Sequence, residues 1–449
     1  MTGWTAELTR LAAHAAVATL LVWALVGPAR PIVTRIAARV AAMSRGRAIA
    51  WAVGLTLATR LALTPVVHPV YEADIKEYCE KAAAIATDGH PRAQETRPDG
   101  TRFYRTLGYS LPLAGVYRVA GMPETPAGRV RAAQVFNIAC ACAVAALLVA
   151  LGAAVGRETA GRVAALAYAV FLPAVVFALL PYGKTYATLL VVASVLVVEK
   201  LRRTDGKTLA LGATFGLLQG LLLVTRIEFA WMPPLAALWL LRSRGASAFA
   251  PLGAGLALLL VPFAVNHEMR DGYPGHLRTS VQGGLILFFG NNPIEVNGYG
   301  NATPEVVKRK DELYRLDPTG GLAADEAVAW MKANPLSVVG NAPKKLHHLW
   351  LAEPQGFTWH VAAGRDPGTN LFLAATMRHA AWAQALALLA LGVVGLTRRG
   401  APFGFWLAVI ALHAATWCAL ASSTRNRYPL EPLLLLAAAA WLVAPADRD

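Results

Sequence analysis

Glu72 and Asp74 stand a few residues beyond an apolar run, in the stretch VVHPVYEADIKEYCEKAAAIATDGHP. An acid held at the edge of an apolar phase is placed to take a proton from a hydroxyl or an amine, as a general base does. Charges at such spacing also simply solvate a surface helix, and spacing alone leaves both roles open. Ile75, Tyr78, Ala82 and Ile85 recur at i, i+3, i+7 and i+10, which predicts an amphipathic helix that buries them. Glu77 partly shares the side of Asp74 on such a helix and competes with it as a base.

Cations and amides gather at other points. Arg105 and Tyr109 precede and open GYSLPLAGVYRVAG, residues 108–121, which is too short to cross a bilayer and predicts a helix lying along its surface. Lys184 sits in PYGKTY at the end of an apolar run, where it snorkels or offers a cation to an anionic headgroup. Asn291 and Asn292 fall in GLILFFGNNPIEVNGYG, residues 284–300. Its Gly, Asn and Pro predict turns that expose side-chain amides to a hydroxyl-rich ligand such as a sugar. Lys344 and Lys345 alternate with apolar residues before Trp350, as snorkelling lysines on an interfacial helix or as cations for a phosphate. Arg425 and Arg427 precede Pro429 and Glu431, where they anchor the membrane edge or clamp a phosphate with planar guanidinium groups.

The elements that must position these residues are membrane helices. Of 449 residues, 56% are hydrophobic and 15% charged, against roughly 25% charged in an ordinary globular domain. That excludes a soluble enzyme, a disordered chain and a coiled coil. It predicts one all-α integral membrane unit, residues 1–449, with about eleven spans. They fall near 11–27, 47–68, 130–154, 161–180, 184–200, 207–224, 228–241, 247–266, 374–396, 402–421 and 429–445. The first is read as a retained span, not a signal peptide, since only Arg10 precedes it as a positive flank. Alternate short loops, beginning with 28–47, carry fifteen Lys and Arg, and the short loops opposite carry four. The basic side is therefore cytoplasmic. Two long loops, 69–129 and 267–373, then lie outside, and residues 69–107 and 267–373 hold 18 of the 27 acids. The net charge of +15 suits anionic lipid, and no soluble basic unit is left to bind nucleic acid. Cys79 is alone in the first outer loop and is expected to be water-facing. No CxxC pair, HExxH, Walker A loop, Rossmann glycine fingerprint or GxSxG elbow is present.

Five short motifs, in order, resemble those of GT-C-fold glycosyltransferases that use polyprenyl-phosphate sugars. The resemblance is to the branch of the protein O-mannosyltransferases and aminoarabinose transferases, over residues 60–435. They are Asp74-Ile-Lys-Glu-Tyr78 with the run to Gly89, Thr106-Leu-Gly-Tyr-Ser110 with Pro112, the GNNP turn at 290–293, the Asn334-Pro335 helix ending at Trp350, and Arg427-Tyr-Pro-Leu-Glu-Pro432. The resemblance implies inverting sugar transfer at the extracytoplasmic face of the plasma (inner) membrane. Asp74 would be the catalytic base. Glu72, Tyr78, Arg105, Tyr109, Lys184, Asn291, Asn292, Lys344, Lys345, Arg425 and Arg427 would bind substrate. The donor is a polyprenyl-phosphate sugar, and the acceptor a lipid, a glycan or a protein. Two positions depart from the family pattern. Ile75 replaces a glutamate, and Lys184 stands near the place of an acid, so neither an obligatory metal nor another cofactor is expected. The rival reading is a transporter or lipid flippase, which places its site at midplane on broken helices. A lipid-linked glycan ligase or polymerase shares the outer site and differs in its donor.

Overall fold

The structure, a computed structural model, describes residues 2–89, 107–204, 208–268, 282–294, 303–317, 320–354, 371–398 and 403–443. Every regular element among them is helical. The first three helices are α1 (Thr2–Val26), α2 (Arg30–Ala41) and α3 (Arg45–Leu63). The first outer loop holds α4 (Ala73–Asp88) and α5 (Ser110–Ala120). The bundle continues with α6 (Pro126–Ala154), α7 (Glu158–Val170), α8 (Leu172–Leu179), α9 (Lys184–Arg203), α10 (Thr208–Thr225), α11 (Met232–Arg244) and α12 (Phe249–Glu268). The second loop holds α13 (Gln282–Gly290), α14 (Pro304–Leu316), α15 (Gly321–Ala333) and α16 (Pro335–Leu346). The chain closes with α17 (Leu371–Thr397), α18 (Gly404–Ala419) and α19 (Glu431–Leu442).

Helices stand at all eleven expected positions. By length and composition four segments could cross a membrane, Pro126–Ala154, Thr208–Thr225, Ile227–Asn266 and Phe372–Thr397, or up to six if each of two bent pairs is one span. Residues 28–47 are not simply a loop, because Arg30–Ala41 is helical and bent 62° from the preceding helix. Pro31 sits in the first turn of α2, where its missing N–H costs nothing. Pro233 and Pro234 open α11 in the same way.

The core is formed by α6, α7, α9 and α19, with α3, α10 and α17 packed around them. The expected span 161–180 is broken into α7 and α8, which meet at 59°. Pro173 is the cause, since it cannot donate to the carbonyl of Ala169 four residues back. Thr59 Oγ1 donates to that carbonyl at 2.7 Å and Arg60 Nη1 at 2.5 Å. A buried arginine on α3 thus supplies the donor that proline removed. The end of α8 is handled similarly. Gln134 and Asn137 of α6 donate to the carbonyls of Leu179 and Leu180 at 2.9 and 2.6 Å. The chain can then turn at Pro181 and start α9 at Lys184.

Glycines set the tightest helix contact. Gly212, Gly216 and Gly220 repeat every fourth residue along α10, and each faces a backbone carbonyl of α12, from Pro251, Gly255 and Leu259. Small residues at this spacing let two membrane helices approach backbone to backbone. A Cβ at Gly216 would collide with the Gly255 carbonyl, whereas Gly253 on α12 has open space around it. Gly216→Ala should therefore cost roughly 1–3 kcal/mol through overpacking. Gly253→Ala should hold or gain up to about 1 kcal/mol from better helix propensity. Thermal unfolding of the two variants in detergent measures the difference, and equal melting would exclude the close contact.

Candidate active site

The face of α4 predicted from periodicity is buried, with Ile75, Tyr78, Ala82 and Ile85 each under 10% exposed. Asp74 lies in the first turn of this helix, following Glu72, which holds the N-cap position in extended conformation and is exposed. The far end of α4 closes on Gly89 at φ 76°, a left-handed position that glycine adopts without strain. Arg118 of α5 donates to the carbonyls of Ile85 and Ala86 there, so α4 and α5 are tied together at that end. At the other end Ser110 Oγ donates to the carbonyl of Tyr78 at 3.2 Å.

Tyr78 and Tyr109 meet edge to face at 5.3 Å, and the Tyr109 hydroxyl donates to Asn137 at 3.2 Å. Tyr109 is buried and its hydroxyl is used inside the protein. Burial pushes the Tyr109 hydroxyl well above its ordinary pKa. Gly108 is wedged against Thr225 at the end of α10, and Gly183 against the Tyr109 ring. Both glycines are needed for space, and they lock the first loop against the turn that carries Lys184.

The polar centre forms around Asn426, in a short 3-10 turn, Thr424–Asn426, just before α19. Lys184 Nζ donates to Asn426 Oδ1 at 2.8 Å, and Arg226 Nη2 donates to the same oxygen at 3.3 Å. Arg226 also pairs with Glu228 at 2.6 Å. Behind them, His413 Nε2 lies 2.8 Å from the Asn426 carbonyl, and its ring stacks on Phe229 at 4.8 Å. Next to Asn426, Arg425 Nη1 lies 3.7 Å from Asp74 Oδ2. Both groups are partly exposed, at 32% and 22% of their side-chain surfaces. Three cations, Lys184, Arg226 and Arg425, and two carboxylates, Glu228 and the base candidate Asp74, therefore gather at the start of α4 and α9 and the end of α10.

The other expected residues fall elsewhere. Arg427 is buried, donating to Glu431 at 2.9 Å and to the Trp350 carbonyl, so its guanidinium is occupied inside the protein. Lys345 is fully buried on α16 and donates to Asn291 Oδ1 at 3.0 Å and the Cys418 carbonyl at 2.9 Å. Desolvation pulls its pKa down to about 8. Lys344 is half-buried, 3.4 Å from Asn341 Oδ1. The turn expected across 284–300 begins as helix α13, because Leu285 and Phe288 pack with α14 and α15 in a small second core. Asn291 Nδ2 donates to the carbonyls of Leu287 and Ala419, and Asn292 Nδ2 to those of Phe288 and Phe289. Their amides close the helix end and are not presented to a ligand. Arg105 lies outside the described residues. Glu77, the rival base, pairs with buried Lys81 at 2.8 Å.

Asn426, Glu228 and His413 are parts of this centre that the sequence reading did not single out. Asn426 lies between two arginines whose charge is the stronger local signal, and no local pattern marks His413, thirteen residues away. The pair Arg226-Ile-Glu228 was the available signal: two opposite charges straight after an apolar span.

No family model matches the chain, and no curated protein sequence matches it. Solved structures do. The oligosaccharyltransferase of Archaeoglobus fulgidus, tethered with an acceptor peptide containing the NVT sequon, matches 88% of this chain with 49% of its own, at 12% identity and TM-score 0.52. The same archaeal enzyme, AglB, in complex with an inhibitory peptide and a dolichol-phosphate, matches 88% of this chain with 50% of its own, at 11% identity and TM-score 0.53. ArnT from Cupriavidus metallidurans, bound to undecaprenyl phosphate, matches 89% of this chain with 78% of its own, at 13% identity and TM-score 0.41. The chain thus has the GT-C fold, and it spans about half the length of the archaeal oligosaccharyltransferase.

The structure corrects one expectation about accessibility. Cys79 is fully buried under α5, and burial pushes its thiol up to about 11. In native membranes Cys79 should resist a maleimide at neutral pH and react within minutes once the protein is unfolded in detergent. Rapid labelling of the folded protein at Cys79 would contradict the packing of α4 on α5.

Proposed function

We propose that the chain is a membrane glycosyltransferase that moves a sugar from a polyprenyl-phosphate donor to an acceptor at the extracytoplasmic face. The observation that carries this reading is the placement of Asp74 3.7 Å from Arg425, next to the Asn426 oxygen shared by Lys184 and Arg226. The GT-C fold supports it, as does the dolichol-phosphate named in the archaeal oligosaccharyltransferase complex.

Asp74 takes the proton from the acceptor hydroxyl or amine, whose lone pair attacks C1 of the sugar from the face opposite the phosphate. The C1–O bond breaks with inversion, and the lipid phosphate leaves with its electron pair. Lys184, Arg226 and Arg425 stabilise the charge that grows on it, and such fixed charges act strongly where water is excluded. Arg425 links the two halves, touching the base on one side and flanking the cation pair on the other. Glu77 is a weaker base candidate because Lys81 already engages its carboxylate. The excess of Lys and Arg in alternate short loops supports assigning this centre to the extracytoplasmic face of the plasma (inner) membrane.

Purified protein in nanodiscs, given radiolabelled polyprenyl-phosphate sugars, tests the reaction. Transfer to an acceptor is expected, and transbilayer movement without transfer would favour the flippase instead. Asp74→Asn should lower turnover by at least roughly 100-fold, the low end for loss of a general base, with donor binding retained. Near wild-type turnover in that variant would remove Asp74 from the role. Asn426→Asp should weaken donor binding, because a carboxylate would neutralise the two cations that the amide only holds. Unchanged donor affinity would take the phosphate away from this centre. The side of the membrane is read separately. Exposed Glu124, replaced by cysteine, should react with an impermeant maleimide in intact cells or spheroplasts. Reaction only after lysis would invert the topology.

A further inference from the structure

In α16 the polar and apolar faces are exchanged relative to a helix on a water-soluble surface. Asn341 and Lys345 point inward and are 5% and 0% exposed. Leu336 and Val339 point outward at 86% and 70%, with Leu346 at 38%. Leu336, Val339, Pro343 and Leu346 fall at i, i+3, i+7 and i+10, so the outward residues form one stripe that carries no ionisable group. An apolar stripe of this kind facing water would be costly, since each large side chain left uncovered forfeits roughly 1.5–3 kcal/mol of burial.

The position of α16 says what covers it. Lys345 donates to the Cys418 carbonyl, and the Cys418 thiol reaches the Ala342 carbonyl, so α16 lies against the last turn of α18. That helix is apolar in composition, and its His413 is buried. Among its exposed residues, Leu407, Ala411, Ala415 and Ala419 form a stripe that runs to this same end, with Leu412 beside it. The outward face of α16 therefore continues an apolar surface that starts on a bundle helix. Twelve residues give a helix about 18 Å long, too short to cross a bilayer but long enough to lie within one leaflet.

We infer that α16 is immersed in the acyl chains of the leaflet that surrounds the outer end of α18, with its polar face turned into the protein. This rests on the membrane reading given above, though not on the sugar-transfer chemistry. The helix then stands between lipid and the end of α18 against which it packs. The segment that follows it is pinned there, because the Trp350 carbonyl accepts from Arg427, the Leu351 carbonyl from Trp382 and the Glu353 carbonyl from Thr424. Lys345 does not snorkel to water. It holds the helix to Asn291 and to α18 from the inside.

The test is a nitroxide label at Leu336→Cys or Val339→Cys in full-length chain with its four native cysteines replaced by alanine, reconstituted in phosphatidylethanolamine–phosphatidylglycerol nanodiscs. Power saturation with oxygen and with an aqueous nickel chelate reports the surroundings. Both labels should be several-fold more accessible to oxygen than to nickel, as at Leu407→Cys, while Glu312→Cys on α14 should show the reverse. Labels at 336 and 339 that behave like the one at 312 would overturn the proposal. Spin–spin broadening that vanishes at one chain per disc would overturn it too, by assigning the face to a second copy. In the otherwise native chain, a benzophenone amino acid at Val339 should capture phospholipid on irradiation, and failure to do so would count equally against immersion. Sugar transfer is not read in any arm, so the fate of this proposal is separate from that of the catalytic one.

Discussion

Two cations share one neutral oxygen at Asn426, and the rest of the polar centre is arranged around that contact. Like charges brought together repel strongly when water is scarce. A carboxylate between them would relieve the repulsion and also cancel the charge. An amide oxygen satisfies a proton on each cation while leaving the positive potential largely intact. Glu228 takes part of that burden by pairing with Arg226. The backbone of Asn426 is fixed in turn by His413, so the amide oxygen is aimed by a second helix. The outcome is a cluster with one more cation than carboxylate, a charge balance that suits the phosphate proposed above.

Reaching that arrangement depends on helices that stop early and on donors that make stopping tolerable. An unpaired carbonyl in an apolar interior is expensive. Pro173 frees one at Ala169, and Arg60 and Thr59 take it up. The turn at Pro181 frees two more, taken up by Gln134 and Asn137. These four side chains touch no substrate in the proposed mechanism, yet they decide where Lys184 emerges. Gly108 and Gly183 do the corresponding work in space, letting the first outer loop press against the ends of α9 and α10.

Much of the helical layout was legible because apolar runs of membrane length are strong signals, and so was the buried face of α4, because period 3.6 is preserved from Ile75 to Ile85. What escaped was set by contacts between distant residues. The break between α7 and α8 follows from one proline whose effect depends on an arginine more than a hundred residues earlier. Helix α13 was hidden because Gly283, Gly284 and Gly290 suggest turns, while the force that makes it helical is packing of Leu285 and Phe288 on two later helices. Asp74, Lys184 and Arg425 were named from local sequence, but nothing local placed them beside Asn426.

The charged residues near the outer ends of the helices divide into two kinds, and chain position does not separate them. Arg427 and Arg425 are two residues apart and chemically identical. Arg427 is bound by a buried carboxylate four residues on and by a backbone carbonyl, so its hydrogen-bonding fork is largely spent in holding the start of α19. Arg425 keeps a third of its side chain exposed and faces Asp74 at a distance longer than a tight ion pair. Lys345 and Lys184 make the same contrast. Lys345 ties three elements together from within, adding to the direct bond that Asn291 already makes to the Ala419 carbonyl. Lys184 shares its partner, a neutral amide oxygen, with another cation. A buried cation whose partners complete its coordination is a fastener. One whose partner is shared and neutral retains an unmet demand for an anion, and that unmet demand is where chemistry is to be sought.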